Sequence, residues 1–237
     1  MKNMVSKTPD LVFIKHALIS LSDKTGLEDL VRGLLEINPE IRLFSTGGTY
    51  DAIKQILIST HGSDTSNLIK VSEFTGQPEM QGGLVKTLDF KIYLGLLAEA
   101  YNPDHQSDLN RTGAIYFDLV VVNLYPFKKT ITANPDNLEA ARGNIDIGGP
   151  TMLRSSAKNF LRVTSLCQPS DYSDFLRILR KQNGCTSLAD RLSFAQKTFN
   201  HTAQYEADIT EYFSNRMKND LAMYQQTTTW EERINGK

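Results

Sequence analysis

A short apolar run that stops at a small-residue loop and gives way to a helical period occurs twice before Ile56, and this order constrains the fold more than any other feature of the chain. His16-Ala-Leu-Ile-Ser-Leu21 ends in a Ser/Asp/Thr/Gly cluster, after which Leu27, Leu30, Val31, Leu34 and Leu35 recur at the spacing of one helix face. Ile41-Arg-Leu-Phe-Ser45, then Thr46-Gly-Gly-Thr49, then Tyr50 to Ile56 repeat the sequence of strand, loop and helix. Strands that alternate with helices predict βαβ units and a parallel sheet. Phe117-Asp-Leu-Val-Val-Val-Asn123 is the most continuous β-branched run, as expected of a strand buried on both faces, and is assigned to the centre of the sheet. Val163-Thr-Ser-Leu166 reads as a weaker strand, and Tyr172 to Lys181 and Leu188 to Phe213 read as helices separated at Gly184. The expected fold is therefore α/β, with a mostly parallel central sheet and a helical C-terminal third.

A chain of 237 residues can bury a real core, as one large domain or two small ones. Its net charge of −1, with both signs interspersed, argues against a general nucleic-acid binder, because phosphate-backbone affinity needs a basic face. Any anion site must be local. Cys167 and Cys185 match neither a zinc spacing nor a disulfide framework and read as reduced thiols of a cytoplasmic protein. His16, His61, His105 and His201 are scattered without metal-ligand spacing, so no metal is expected. No apolar stretch approaches the ~18 residues of a membrane span, and the chain reads as soluble and unprocessed. The polar, turn-rich stretches 59–67 and 101–108 are expected to be surface insertions, and the polar tail from Gln225, with its lone Trp230, to be loosely ordered.

Parallel α/β sheets bind ligands outside the carboxyl ends of their strands. The loop after the first strand is Ser22-Asp23-Lys24-Thr25-Gly26, and after the second Ser45-Thr46-Gly47-Gly48-Thr49. Small hydroxyl residues, glycines and a lysine at helix starts suit a phosphate monoester, which needs many donors and close backbone approach. Ordinary capping and turn formation use the same residue types. The spacing is not that of a P-loop. A further glycine-rich turn, Glu79-Met-Gln-Gly-Gly83-Leu84-Val85-Lys86-Thr87, also carries a lysine, and Asn123 and Tyr125 follow the third strong strand. Asn144-Ile-Asp146-Ile147-Gly148-Gly-Pro150 opens a helix that places Arg154 and Lys158 four residues apart. Like charges so placed repel by roughly 0.2–0.5 kcal/mol, so an anion is expected between them; Asp146 can equally be a helix cap and Lys158 a solvated last-turn cation.

Taken together, Ser22-Asp-Lys-Thr-Gly-Leu, Ser45-Thr-Gly-Gly-Thr, Val71-Ser-Glu-Phe-Thr-Gly, Val85-Lys-Thr-Leu, Asn123-Leu-Tyr-Pro-Phe, Asn144-Ile-Asp-Ile-Gly-Gly-Pro-Thr-Met-Leu-Arg and Ala157-Lys-Asn resemble, in order, the IMP cyclohydrolase domain of the bifunctional purine biosynthesis enzyme. The resemblance implies one domain over residues 12–213 with terminal extensions 1–11 and 214–237, and a methylglyoxal-synthase-like three-layer α/β/α fold. It also implies a homodimer, with no metal, redox or other cofactor. The implied reaction is closure of FAICAR, 5-formamidoimidazole-4-carboxamide ribotide, to IMP with loss of water. The tail does not resemble the formyltransferase domain, so formyl transfer is predicted absent from this chain, and a separate AICAR formyltransferase becomes a candidate partner. By resemblance Lys86, Tyr125, Asp146 and Lys158 are the catalytic set. Lys158 is assigned to proton transfer, Asp146 to orienting or deprotonating the amide, and Lys86 with Tyr125 to the oxyanion. Substrate contacts are expected from Ser22, Asp23, Lys24, Thr25, Thr46, Gly47, Gly48, Thr49, Leu84, Val85, Thr87, Val122, Asn123, Ile147, Gly148 and Arg154.

The chain departs from the family where Leu84, Asp89 and Phe90 replace the usual arginine, histidine and proline, and where Tyr93 and Glu99 stand in place of a common histidine and arginine. These changes remove cations, and leucine cannot replace the directional hydrogen bonds of a guanidinium. A purine-nucleotide-binding regulatory module without turnover is therefore the alternative. Methylglyoxal synthesis from a triose phosphate fits less well, because Leu84-Val85-Lys86 stands where that family places an aspartate after its glycine turn.

Overall fold

The structure is a computed structural model that describes residues 5, 7–62, 64–78, 80, 85–216, 221 and 224, except the side chain of His61. Residues 81–84, with Gly82, Gly83 and Leu84 of the stretch read from the sequence as a glycine-rich turn, and the tail with Trp230 lie outside the described residues.

Five strands, β2 (His16–Leu21), β3 (Arg42–Ser45), β4 (Leu68–Lys70), β5 (Leu119–Asn123) and β6 (Thr164–Leu166), form one sheet in the order β4-β3-β2-β5-β6, and every adjacent pair is parallel. A short antiparallel pair, β1 (Val12–Phe13) with β7 (Cys185–Thr186), stands apart from it. The middle strand is β2, with β5 beside it, so the central place assigned to 117–123 belongs to β2. A continuous apolar run reports burial on both faces, which every interior strand shares, and does not rank interior strands.

Alternate residues of each strand point to opposite faces. Ala17, Ile19 and Leu21 of β2 join Leu43, Leu119 and Val121 in the core with α1 (Leu27–Ile37), α2 (Gly47–His61) and α9 (Tyr172–Lys181). On the other face, α8 (Gly148–Lys158) packs against β5 and β6 and against α4 (Phe90–Leu97). The result is the expected three-layer α/β/α arrangement, with a long C-terminal helix, α10 (Leu188–Ser214). Register puts Leu21 opposite Asn123 and Ile19 opposite Ser45, so the loops after β2, β3 and β5 leave the sheet along one edge.

The stretch 101–108, expected as a turn-rich insertion, lies largely in a helix, α5 (Pro103–Thr112). Asn102 caps it by accepting from Asp104 and His105 N–H, Pro103 occupies its first turn, and Gly113 leaves it at φ 68°. Residues read as turn formers are here the start and stop signals of a helix. Short helices α3 (Val71–Thr75), α6 (Phe127–Ala133) and α7 (Leu138–Gly143), with a 3-10 turn at Pro169–Asp171, complete the described elements.

The chain divides into two compact units, 1–125 with 146–203 and 126–145 with 204–237. In the smaller unit Phe127 is buried, its ring edge-on to Tyr205 at 6.2 Å and Tyr212 at 5.8 Å. The tyrosine hydroxyls donate to Asn144 O at 3.2 Å and Pro135 O at 3.3 Å, so both amphipathic rings are satisfied at their polar ends. Among the described residues no helix is long and apolar enough to cross a membrane. Both cysteines are free, and burial pushes the Cys167 thiol up to about 11.

Candidate functional site

All the described residues proposed for a site from the sequence lie in the larger unit. The loop after β2 is shaped by Asn123, 9% exposed at the end of β5. Its amide oxygen accepts from Ser22 N–H at 2.6 Å and Asp23 N–H at 3.0 Å, and its amide nitrogen donates to Asp23 O at 2.5 Å. Asp23 in turn accepts from Thr25 N–H at 2.9 Å and Thr25 O–H at 2.7 Å. Asn123, expected to touch substrate, therefore spends both ends of its amide on the loop, and acts by positioning it. Asn123→Leu is expected to weaken anion binding at this loop about tenfold or more, since about 1.4 kcal/mol of lost loop order is a factor of ten in binding. Calorimetric titration with inorganic phosphate checks this, and unchanged affinity would refute it.

The loop after β3 enters α2 through Thr46, which makes no side-chain cap. Thr49 is buried, and its hydroxyl accepts from Leu21 N–H and donates to Leu21 O, both at 3.0 Å. It fastens α2 to the end of β2, so its hydroxyl is committed to the fold. Gly47 and Gly48 differ: a Cβ built on Gly47 would lie 3.3 Å from Lys86 Nζ, and one on Gly48 3.9 Å from Lys24 Nζ. Two ammonium groups thus stand over a pair of glycines at the positive end of a helix, an arrangement that can receive an anion. Ser22 and Thr46 are half-buried beside it, and Lys24 and Thr25 are exposed.

Residues 85–87 join this cradle to α8. Val85 holds φ 52°, a strained value for a β-branched residue, and its carbonyl accepts from Gln77 Nε2 at 3.1 Å. Thr87 is buried with its Oγ1 2.9 Å from where a Gly148 Cβ would be. At the start of α8, Asp146 accepts from Gly149 N–H at 2.8 Å and Tyr125 N–H at 3.4 Å. A Cβ on Gly149 would come within 2.5 Å of Asp146 Oδ2, so the glycine is what lets the carboxylate fold back over the helix start. Burial raises the Asp146 pKa, against the lowering effect of those two N–H groups. Tyr125 and Ile147 flank it at 50% and 62% exposure, whereas Val122 is buried beneath in β5.

Tyr93, absent from the sequence-derived set, stands near this carboxylate. Its buried hydroxyl lies beside the Thr151 hydroxyl, which donates to Ile147 O at 2.7 Å and keeps its oxygen free to accept from the phenol. Burial pushes the phenol up to about 12. The only sequence signal for it is the departure at Tyr93 itself. Asp89, another departure, caps α4 by accepting from Lys91 N–H at 2.8 Å.

Arg154 and Lys158 lie farther along α8, four residues apart and both exposed. The Arg154 guanidinium lies over the Phe199 ring at 5.9 Å, and Lys158 is exposed in the last turn of α8. An 11-residue helix rises on the order of 15 Å, so Lys158 stands at the far end of α8 from Asp146. Within one chain the structure brings together Lys24, Lys86, Thr87, Gly148, Asp146 and Tyr125, and leaves Lys158 and Arg154 apart. Among the described residues no group of three or more His, Cys, Asp or Glu side chains is placed to hold a metal.

A family model described as MGS-like domain matches residues 26–151, and one described as AICARFT/IMPCHase bienzyme matches residues 156–235. The chain is 44% identical over 207 residues to the bifunctional purine biosynthesis protein PurH of Leptospira biflexa, covering 87% of this chain and 38% of that protein. It is 46% identical over 202 residues to PurH of Bacillus subtilis, covering 85% of this chain and 37% of that protein. The chain therefore spans about two fifths of the length of these curated relatives. A solved structure described as ForH superposes with a TM-score of 0.69 at 31% identity, covering 84% of this chain and 99% of that one.

Proposed function

We propose that this chain, which belongs to the MGS-like domain family, is an IMP cyclohydrolase that closes FAICAR to IMP with loss of water in purine biosynthesis. The observation that carries the reading is one line of groups running from Lys24 and Lys86 over Gly47–Gly48, through Thr87 and Gly148, to Asp146 and Tyr125. An anion-receiving end, apolar flanks and a carboxylate at the other end match a ribotide whose phosphate and reacting carboxamide lie at opposite ends.

In the reaction the carboxamide nitrogen attacks the formyl carbon and loses a proton, and the formyl oxygen becomes a hydroxyl. That hydroxyl then leaves as water as the formamide N–H is lost and the ring C=N forms. Asp146, half-buried and with a raised pKa, is suited to take the amide proton. Tyr125, half exposed beside it, offers a hydroxyl donor for the developing oxyanion. Lys86 was assigned to the oxyanion; its position beside Gly47 supports a role at the phosphate end, shared with Lys24. Both reacting groups belong to one molecule, so alignment supplies much of the rate.

Lys158 as a proton donor requires a second copy of the chain, since its own helix carries it on the order of 15 Å from Asp146. The proposed active form is accordingly a homodimer. The alternative, a nucleotide-binding regulatory module, differs only in lacking turnover. Calorimetric titration with IMP tests the ligand class common to both: one saturable site per chain, competed by inorganic phosphate and weakened at least tenfold by Lys24→Ala, is expected. Unaltered IMP binding in Lys24→Ala with Lys86→Ala would place the nucleotide elsewhere.

A further inference from the structure

The last turn of α3 is fixed from several sides. Thr75 is buried, and its hydroxyl donates to Val71 O at 3.0 Å and accepts from Gln77 N–H at 3.1 Å. Gly76 leaves the helix at φ 78°, with its N–H on Ser72 O. The Phe74 ring stands edge-on to the buried Phe44 and Phe117, at 5.2 Å and 6.2 Å, and the Phe74 carbonyl accepts from Lys91 Nζ at 3.2 Å. Gln77 therefore projects from a segment anchored to β3 and to α4.

Its side chain reaches Val85. The Gln77 Nε2 donates to Val85 O at 3.1 Å, and the same carbonyl accepts from Leu88 N–H at 3.1 Å, closing the turn 85–88. Among the described residues the other end of the amide, Oε1, is buried without a partner. A buried acceptor without a donor costs stability, so packing alone does not account for this side chain. What the contact does offset is the conformation of Val85, whose φ of 52° is disfavoured for a β-branched residue and persists only where the surroundings hold it. The turn so held carries Lys86, whose ammonium stands over Gly47, and Thr87, whose hydroxyl meets Gly148. A relaxed Val85 would send the residues after it in another direction, because the backbone dihedrals alone set the path of the chain.

We propose that Gln77 is a positioning residue for the anion cradle, and that its amide holds Val85 in the left-handed region and thereby sets Lys86 over Gly47–Gly48. The inference rests on the reading of Lys24, Lys86 and these glycines as an anion site. Gln77 acts through the turn: it raises the fraction of chains in which Lys86 is in place, and the apparent affinity for the anion scales with that fraction.

The test is a double-mutant cycle read by calorimetric titration of the full chain with inorganic phosphate. Gln77→Met keeps the length of the side chain without its donor, and is expected to weaken phosphate about three- to tenfold, the size of one hydrogen bond. Glycine takes positive φ as readily as negative, so in a Val85→Gly chain the same Gln77→Met change is expected to weaken phosphate by less than about twofold. Methionine also removes the unpaired oxygen, so Gln77→Met should melt no lower than wild type. Unchanged affinity in Gln77→Met, equal losses in the two backgrounds, or a lowered melting temperature would overturn the assignment while leaving the anion site standing. Absence of saturable phosphate binding by the wild-type chain would remove the anion site, and this inference with it.

Discussion

Asp146→Asn is expected to lower kcat for ring closure by a factor of roughly 10²–10⁴, the range for loss of a general base, while leaving IMP affinity within a few-fold. Asparagine keeps the shape and an oxygen to accept from Gly149 N–H, and it caps helices as well as aspartate does, so the start of α8 persists. What is lost is the negative charge. Because burial raises the Asp146 pKa, the wild-type acid limb of kcat/KM should lie above the ordinary aspartate value of about 3.9. The base works ionised, so rate falls as pH drops through that raised pKa, and the residual activity of the asparagine variant should lack this limb. The sign for stability is opposite. A folded-state pKa above the unfolded one gives stability that is full at low pH and is lost as pH rises through the folded value. At pH 7 to 8 the variant should therefore melt no lower than wild type. Rate-pH profiles and thermal unfolding of the two proteins decide this, and an unchanged kcat would remove Asp146 from the chemistry.

Arg191→Met should unfold the chain at a markedly lower temperature. Arg191 is 0% exposed, yet its guanidinium donates to five carbonyls: Phe160, Asp10, Thr186, Pro9 and Leu161, at 2.5–3.2 Å. It ties the amino-terminal segment, the β1–β7 pair and the connection into β6 to the first turns of α10. Methionine fills much of the volume but offers no donor, and each buried carbonyl left unpaired costs about 1–3 kcal/mol. Some relax or take water, so a net loss of roughly 3–5 kcal/mol is expected, as for other broken buried charge networks. For a chain of this size about 1 kcal/mol shifts Tm by roughly 2–4 °C, which puts the fall on the order of 10 °C. A circular dichroism melt within ~2 °C of wild type would contradict this role.

The sheet was legible because β2, β3 and β5 carry their burial in their own residues: short apolar runs bounded by turn formers. The sheet's order was less so, since β2 and β5 are both interior and local pattern does not say which lies in the middle. Helix α5 was missed because Asn-Pro-Asp is at once a turn signal and a helix start, and the choice between them depends on Leu109 finding the small core of Ala98 and Ala114. At the candidate site the loops were legible by residue type, but Asn123 and Thr49 were read as ligand contacts when their side chains hold backbone contributed by distant strands. The separation of Lys158 from Asp146 follows from helix rise alone and was open to the sequence; the stacking of Arg154 on Phe199 was not, because the two meet only after α10 returns. Arg191 was invisible for the same reason, since most of its acceptors lie far away in the chain.

Conversion of FAICAR to IMP by the purified chain, followed by absorbance under substrate excess without added metal, decides whether this chain closes the ring, with Lys158→Ala and Asp146→Asn run singly and mixed. Turnover by wild type, little by either variant alone, and partial recovery on mixing are expected, because a mixed dimer rebuilds one site with Asp146 from one chain and Lys158 from the other. Saturable IMP binding without wild-type turnover would contradict this, and would make the chain a nucleotide-binding module.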